Sequence, residues 1–282
     1  MQNILLLTDF SNDAYNALYF VSRLFKSKKC NFVLLNAFGE HTTLDGKAGF
    51  IGDRENIQGR DKDSSCEALK QMFHRINLDH KCPNHHYELI SMNMELTNAI
   101  SEAIDTHSID LIVMGNKGAT AKKGVFLGSS TTKVMASIKK CPILAIPMES
   151  EFMVPYEIAF ATNYKNQYDA QLLNPLCKLA QICGAAIRIV HIKEEEHLSK
   201  EQESNLHALQ AHLKALENTV HWMPNFTNKS KAIQVFLDEL GIKMLAMVYT
   251  EHGFLENLFR EPVIKKLTFK LNIPFLVIPN TN

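Results

Sequence analysis

Two short glycine-bearing clusters carry most of the chemistry legible in this chain. Met114-Gly115-Asn116-Lys117-Gly118 closes one aliphatic run, and Gly128-Ser129-Ser130-Thr131 follows after nine residues, at the start of a helical pattern. Glycines let backbone N–H groups approach an anion with no Cβ in the way, and the first turn of a helix adds positive potential. Ser129, Ser130 and Thr131 add hydroxyl donors at the same place. The chemistry implied is capture of a phosphate; a crossover that holds no ligand is the bland alternative and stays open here. Asp9, at the end of the run Ile4 to Thr8, is the second candidate. Its carboxylate either faces a ligand or serves the turn and cap of the helix that follows.

The spacing of the glycine clusters is G-x2-G-x9-G-S. A Walker A loop reads GxxxxGK[ST] and a dinucleotide fingerprint GxGxxG, and neither fits at this place or after the first strand of either half.

The elements that must position these residues alternate. Ile4 to Thr8 reads as a strand buried on both faces, followed by a helix capped by Ser11 or Asn12 and then by a strand over Phe32 to Phe38. After a Gly-rich polar stretch from Gly39 to Gly59, helix, strand and helix are predicted near Ser64 to Asn77, Tyr87 to Met92 and Leu96 to His107. A strand over Leu111 to Met114, a long loop, a helix from about Thr131 to Lys139 and a strand over Ile143 to Ile146 close the series. The order restarts with strand Ile158 to Thr162, helix Asp169 to Cys183, strand Ile187 to Ile192 and a charged helix over Ser199 to Glu217. Short strands near Val220 and Leu245 and a helix near Pro262 to Leu271 follow. The final Pro274-Phe275-Leu276-Val277-Ile278-Pro279 echoes Pro142-Ile143-Leu144-Ala145-Ile146-Pro147. We read an internal duplication of α/β halves over 1–149 and 155–282, each a Rossmann-like, doubly wound, five-stranded parallel sheet.

The G-x2-G-x9-G-S pattern resembles the ATP-binding signature of the universal stress protein family, and Leu7-Thr8-Asp9-Phe10-Ser11 stands where that family has a strand ending in a Thr-Asp-Gly/Phe-Ser motif. The resemblance spans nearly the whole chain as two tandem domains. It implies an adenosine pocket lined by Leu7, Thr8 and Asp9, with backbone groups at Ala37 offered to adenine. It also implies ribose and phosphates held by Met114, Gly115, Lys117, Gly118, Gly128, Ser129, Ser130 and Thr131. ATP or another adenine nucleotide, accompanied by Mg, is the implied ligand. Ser130 departs from the aliphatic residue that many members carry there. Members commonly dimerise through their last strands, which implies that Ile143 to Ile146 pairs with Phe275 to Ile278 inside one chain as an internal pseudo-dimer.

The second half departs from the motif. Thr162-Asn163 replaces Thr8-Asp9, and Val248-Tyr249-Thr250-Glu251-His252-Gly253 replaces the first glycine cluster. Aligning the last strands puts Arg260 opposite Gly128 and Glu261 opposite Ser129, where bulk and negative charge oppose phosphate. The expectation is a second half that does not bind ATP in the family's manner.

Weaker signals have plain readings. His80, Cys82, His85 and His86 lie close together but lack zinc-finger spacing, and a turn around Pro83-Asn84 accounts for them. Glu194-Glu195-Glu196 suits a solvated helix start, His252 a turn, and Lys122 and Lys123 either phosphate or water. Trp222 yields no reading. No Ser/His/Asp or Cys/His set stands out, so catalysis is unsupported.

Thirty basic and thirty acidic residues among 282 cancel, which disfavours nucleic acid and anionic membrane as partners. Apolar residues at 46% and charged residues at 21% are ordinary for a folded protein, and no apolar run approaches the ~20 residues of a membrane span. The start does not read as a signal peptide, and six cysteines without CxxC spacing read as reduced thiols of a cytoplasmic protein. The expected function is a nucleotide-dependent stress sensor or regulator read by an unidentified protein partner. A nucleotide-free scaffold, slow ATP hydrolysis or self-phosphorylation, and a further homodimer stay open.

Overall fold

Successive side chains of a strand leave on opposite faces, and from Ile4 to Leu7 both faces are buried. Ile4 and Leu6 enter one apolar layer, Leu5 and Leu7 the other, and the same division holds for Ile158 and Phe160 against Ala159 and Ala161. Each layer therefore runs across both halves of the chain. This computed structural model describes residues 1–39, 62–116, 127–193, 197–224, 229–250 and 272–280.

The first half holds β1 (Gln2–Leu7), α1 (Asn12–Leu24), β2 (Cys30–Phe38), α2 (Lys62–Asp79), β3 (His85–Asn93), α3 (Leu96–His107), β4 (Leu111–Gly115), α4 (Ser129–Ser137) and β5 (Ile143–Ile146). The second holds β6 (Glu157–Ala161), α5 (Ala170–Cys183), β7 (Ala186–Lys193), α6 (Lys200–Leu213), β8 (Asn218–Pro224), α7 (Lys229–Leu240), β9 (Leu245–Tyr249) and β10 (Phe275–Pro279). One ten-stranded sheet runs β3-β2-β1-β4-β5-β10-β9-β6-β7-β8. Each half thus has the same strand order, and the one antiparallel pairing among the described residues, β5 with β10, joins them.

The joint expected from the last strands is present, with Leu144 opposite Leu276 and Ala145 opposite Phe275. The apolar stripes of α1, α2, α5 and α6 cover one face, and those of α3, α4 and α7 cover the other. Further contacts tie the halves: Phe152, in the connecting segment, meets Phe20 of α1 edge-on, with ring centroids 5.1 Å apart. The Lys139 ammonium sits 4.0 Å above the Tyr249 ring.

Three elements differ from expectation. α4 begins at Ser129 rather than Thr131, because extended Gly128 takes the N-cap place and its carbonyl accepts the Thr132 N–H at 2.9 Å. α6 stops at Leu213, where the Asn218 side chain donates to the carbonyls of Leu213 and Leu216. α7 was not foreseen; it buries Ala232, Ile233, Phe236 and Leu237, and parallel strands need such a crossover. The helix expected near 262–271 lies outside the described residues.

Burial pushes the thiols of Cys141 and Cys183 up to about 12 and that of Cys30 up to about 11, in line with apolar packing. No helix among the described residues is long and apolar enough to cross a membrane.

Candidate functional site

The strand order reverses between β1 and β4, and a crevice opens beyond the carboxyl ends of the strands at such a point. A cavity of about 170 Å³ lies there, lined by Leu7, Thr8, Asp9, Ala14, Asn36, Ala37, Leu96, Met114, Gly115, Ser130 and Thr131.

Local hydrogen bonds set the β1–α1 turn. The Thr8 hydroxyl accepts the Phe10 N–H at 2.9 Å, and Asp9 Oδ1 accepts the Ser11 N–H at 3.1 Å. Phe10 takes a positive φ of 63° between them. Ser11 then caps α1 by accepting the Ala14 N–H at 3.2 Å. Asp9 is therefore a turn residue that also lines the cavity.

Beneath the turn lies a buried polar relay. Asn36 donates to the Thr8 carbonyl at 2.7 Å and accepts the Ser65 hydroxyl at 2.8 Å, while Ser91 donates to Ser65 at 2.7 Å. The relay fixes the carboxyl ends of β1, β2 and β3 against α2. Asn36, Ala14 and Leu96 were missed as cavity residues. For Asn36 a signal existed, since it is a lone amide in the apolar run Phe32 to Phe38.

Across the cavity, the Gly128 N–H donates to the Asn116 carbonyl at 2.8 Å, and the Asn116 N–H donates to Ile146 O at 3.0 Å. The ends of the long loop are thereby clasped beside β5. The Thr131 hydroxyl is directed to the carbonyls of Gly115 and Asn116, at 3.2 and 3.1 Å, so it secures the loop base. Gly128 supplies no side-chain cap, leaving the first turn of α4 without one from that position. Such a terminus suits an anion.

The structure thus gathers Leu7, Thr8, Asp9, Ala37, Met114, Gly115, Ser130 and Thr131 around one cavity, with Gly128 and Ser129 at the adjoining start of α4. Lys117 and Gly118 lie outside the described residues, as do Lys122, Lys123, His252, Arg260 and Glu261.

The universal stress protein family model matches residues 1–147. The chain belongs to that family. A universal stress protein from Archaeoglobus fulgidus is similar with a TM-score of 0.69 at 17% identity, over 98% of this chain and 97% of that one. A functionally unknown protein from Pseudomonas aeruginosa PAO1 is similar with a TM-score of 0.60 at 12% identity, over 99% and 92%. The cytoplasmic domain of a prokaryotic cation chloride cotransporter is similar with a TM-score of 0.53 at 9% identity, over 99% and 95%. Comparison with curated proteins gives no match. At these identities the structural likeness shows the fold alone, so the argument for function rests on the site.

The universal stress protein turn recurs in the second half. Tyr164 N–H donates to the Thr162 hydroxyl and Lys165 N–H to Asn163 Oδ1, both at 3.1 Å, with Tyr164 at a φ of 58°. Thr8 N–H donates to Leu35 O and Thr162 N–H to Val190 O, each at 3.0 Å, which makes Asn36 and His191 counterparts. His191 Nδ1 lies 3.0 Å from the Thr162 carbonyl, as the Asn36 amide reaches that of Thr8. The backbone is duplicated while the side chains have diverged.

The His80 to His86 segment serves its turn. His85 Nε2 lies 3.2 Å from the Phe25 carbonyl, burial pushes its pKa down, and the Cys82 thiol donates to Lys26 O at 3.4 Å. Among the described residues, no group of three His, Cys, Asp or Glu side chains could hold a metal ion.

Proposed function

We propose that the first half, over 1–149, binds an adenine nucleotide, ATP in the first instance, and that the chain acts as a stress-response sensor or regulator read by a protein partner. The observation that carries this reading is the convergence of the Asp9 turn, Gly115, the clasped Asn116 and Gly128 loop ends and the α4 N-terminus around one cavity. Leu7, Ala37 and Met114 offer apolar surface to a base, and the Asp9 carboxylate accepts hydrogen bonds from an amino or sugar hydroxyl group. Phosphates then lie toward Gly128, Ser129 and Ser130. At about 170 Å³ the cavity is below the ~300–1,000 Å³ of sites that engulf a whole ligand, so it fits the nucleoside end with the phosphates outside it. Mg would take its ligands chiefly from the phosphates, as it does where one or two protein oxygens suffice. The second half, over 155–282, is read as unable to hold ATP in this manner, since Asn163 lacks the carboxylate of Asp9.

The test is thermal denaturation with Mg-ATP. Binding to the folded state alone adds RT ln(1 + [L]/Kd), about 2.7 kcal/mol at a hundredfold excess over Kd. An Asp9→Ala, Gly128→Arg double variant is expected to gain nothing; the φ of −62° at Gly128 adds no backbone strain, and far-ultraviolet dichroism checks that the variant folds. Equal stabilisation of both proteins overturns the site. No stabilisation of either at millimolar nucleotide favours a nucleotide-free scaffold. Phosphate release faster than that of the variant is required before hydrolysis is assigned.

A further inference from the structure

A larger cavity, of about 640 Å³, lies in the second half beyond the carboxyl ends of β6, β7 and β8 and against α6. Sites that take up a whole small molecule have this size, ~300–1,000 Å³. One wall is aromatic. The His191 ring stacks on Tyr164, with centroids 4.6 Å apart and planes 12° from parallel, and meets Trp222 edge-on at 5.0 Å. His191 and Tyr164 are buried, whereas Trp222 lines the cavity and is 48% exposed, so part of the indole is open to a ligand at the cavity's edge.

The duplicated turn shows how the charge has changed. Where the first half has Asp9, Ser11, Asn36 and Phe38, the second has Asn163, Lys165, His191 and Lys193. One carboxylate is removed and two ammonium groups are added around a turn with the same hydrogen bonds. Lys165, Lys193 and the exposed His197 and His207 all line the cavity, with Glu203 the acid among the described lining residues. Gln202 braces the rim by donating to the Asn163 carbonyl at 2.8 Å.

We propose that this cavity binds a small organic anion built on a flat ring, an arene or heteroarene bearing a carboxylate or phosphate. The ring packs on Trp222 and the anionic group is drawn to Lys165 and Lys193. Rings favour stacked or edge-on aromatic neighbours, and an ammonium supplies charge-assisted hydrogen bonds to an oxyanion. The proposal does not depend on nucleotide binding by the first half.

Trp222 is the single tryptophan of the chain, so its emission reports this cavity. The full-length protein is titrated with phenyl phosphate, with benzyl alcohol as the ring without charge and inorganic phosphate as the charge without ring. Phenyl phosphate is expected to shift the emission saturably, and each control to bind roughly tenfold more weakly. A Lys165→Gln, Lys193→Gln variant, altered only at exposed side chains, is expected to lose about tenfold for phenyl phosphate and nothing for benzyl alcohol. Asp9→Ala is expected to respond as the unaltered protein does. The proposal is overturned by an absent or unsaturable shift, by equal affinity for all three probes, by indifference to the lysine substitutions, or by loss of the shift in Asp9→Ala.

Discussion

A Cβ placed on Gly115, the last residue of β4, would lie 2.8 Å from Cγ of Asp13 and 3.1 Å from its backbone carbonyl carbon. Asp13 is buried in the first turn of α1, so the glycine allows that helix to start against the end of β4. A glycine that sequence alone assigns to phosphate approach is thus needed for packing as well.

Gly115→Ala is therefore expected to destabilise the protein by about 1–3 kcal/mol, the usual cost of an extra carbon in a filled core. Denaturant unfolding measures it. Adding Asp13→Ala removes the side-chain part of the clash and should recover some of the loss, with a coupling of about 0.5–3 kcal/mol. An unchanged midpoint in Gly115→Ala would show that α1 gives way freely, and the packing account would fail.

The β5–β10 joint makes a second prediction. Leu144 and Leu276 face each other across the antiparallel pair, both buried in the layer beneath α1 and α5. Each change to Ala is expected to cost about 2–5 kcal/mol, and the two together to depart from additivity because they share one packing site. Since both apolar layers run through the joint, the protein should unfold in one transition seen alike by near- and far-ultraviolet dichroism. Two separated transitions, one per half, would contradict a shared core.

Much of this was legible because the strands are buried on both faces. Runs such as Ile4 to Leu7 and Phe275 to Ile278 leave little ambiguity, their repetition showed the two halves, and the strand joint followed from the family resemblance. Asp9 and the glycine clusters were legible because their spacing matches a single motif at the ends of β1 and β4 and the start of α4. What escaped depended on partners distant in sequence. Asn36 gains its meaning from Thr8 and Ser65, and Trp222 from His191 and Tyr164, which only the closed sheet brings together. α7 escaped because its amphipathic stripe is short and its start is polar, though the parallel crossover required it.

Glu95 links the two helices that follow β3 and β4, and its titration makes the last prediction. Its carboxylate accepts the N–H groups of Thr97 and Asn98 at 2.8 and 3.3 Å, capping α3, and also accepts Lys133 Nζ of α4 at 2.8 Å. Partial burial opposes the charge, but the Lys133 ammonium and the Thr97 and Asn98 donors outweigh it and hold the carboxyl at about 2, down from 4.5. A carboxyl lowered on folding contributes stability in full above its unfolded value and loses it as pH falls through the folded one. Glu95→Gln keeps the size and removes the charge, so the unaltered protein should melt higher at neutral pH. The gap should narrow as pH drops from about 4.5 toward about 2. It should also shrink with added salt, because both partners are partly exposed. A gap that is constant or widens on acidification would mean that the capping geometry, not the charge, holds α3 to α4. Leu96 and Ser130, next to this link, both line the first-half cavity. Nucleotide stabilisation should therefore be weaker in Glu95→Gln than in the unaltered protein at neutral pH, where the Glu95 carboxylate is charged.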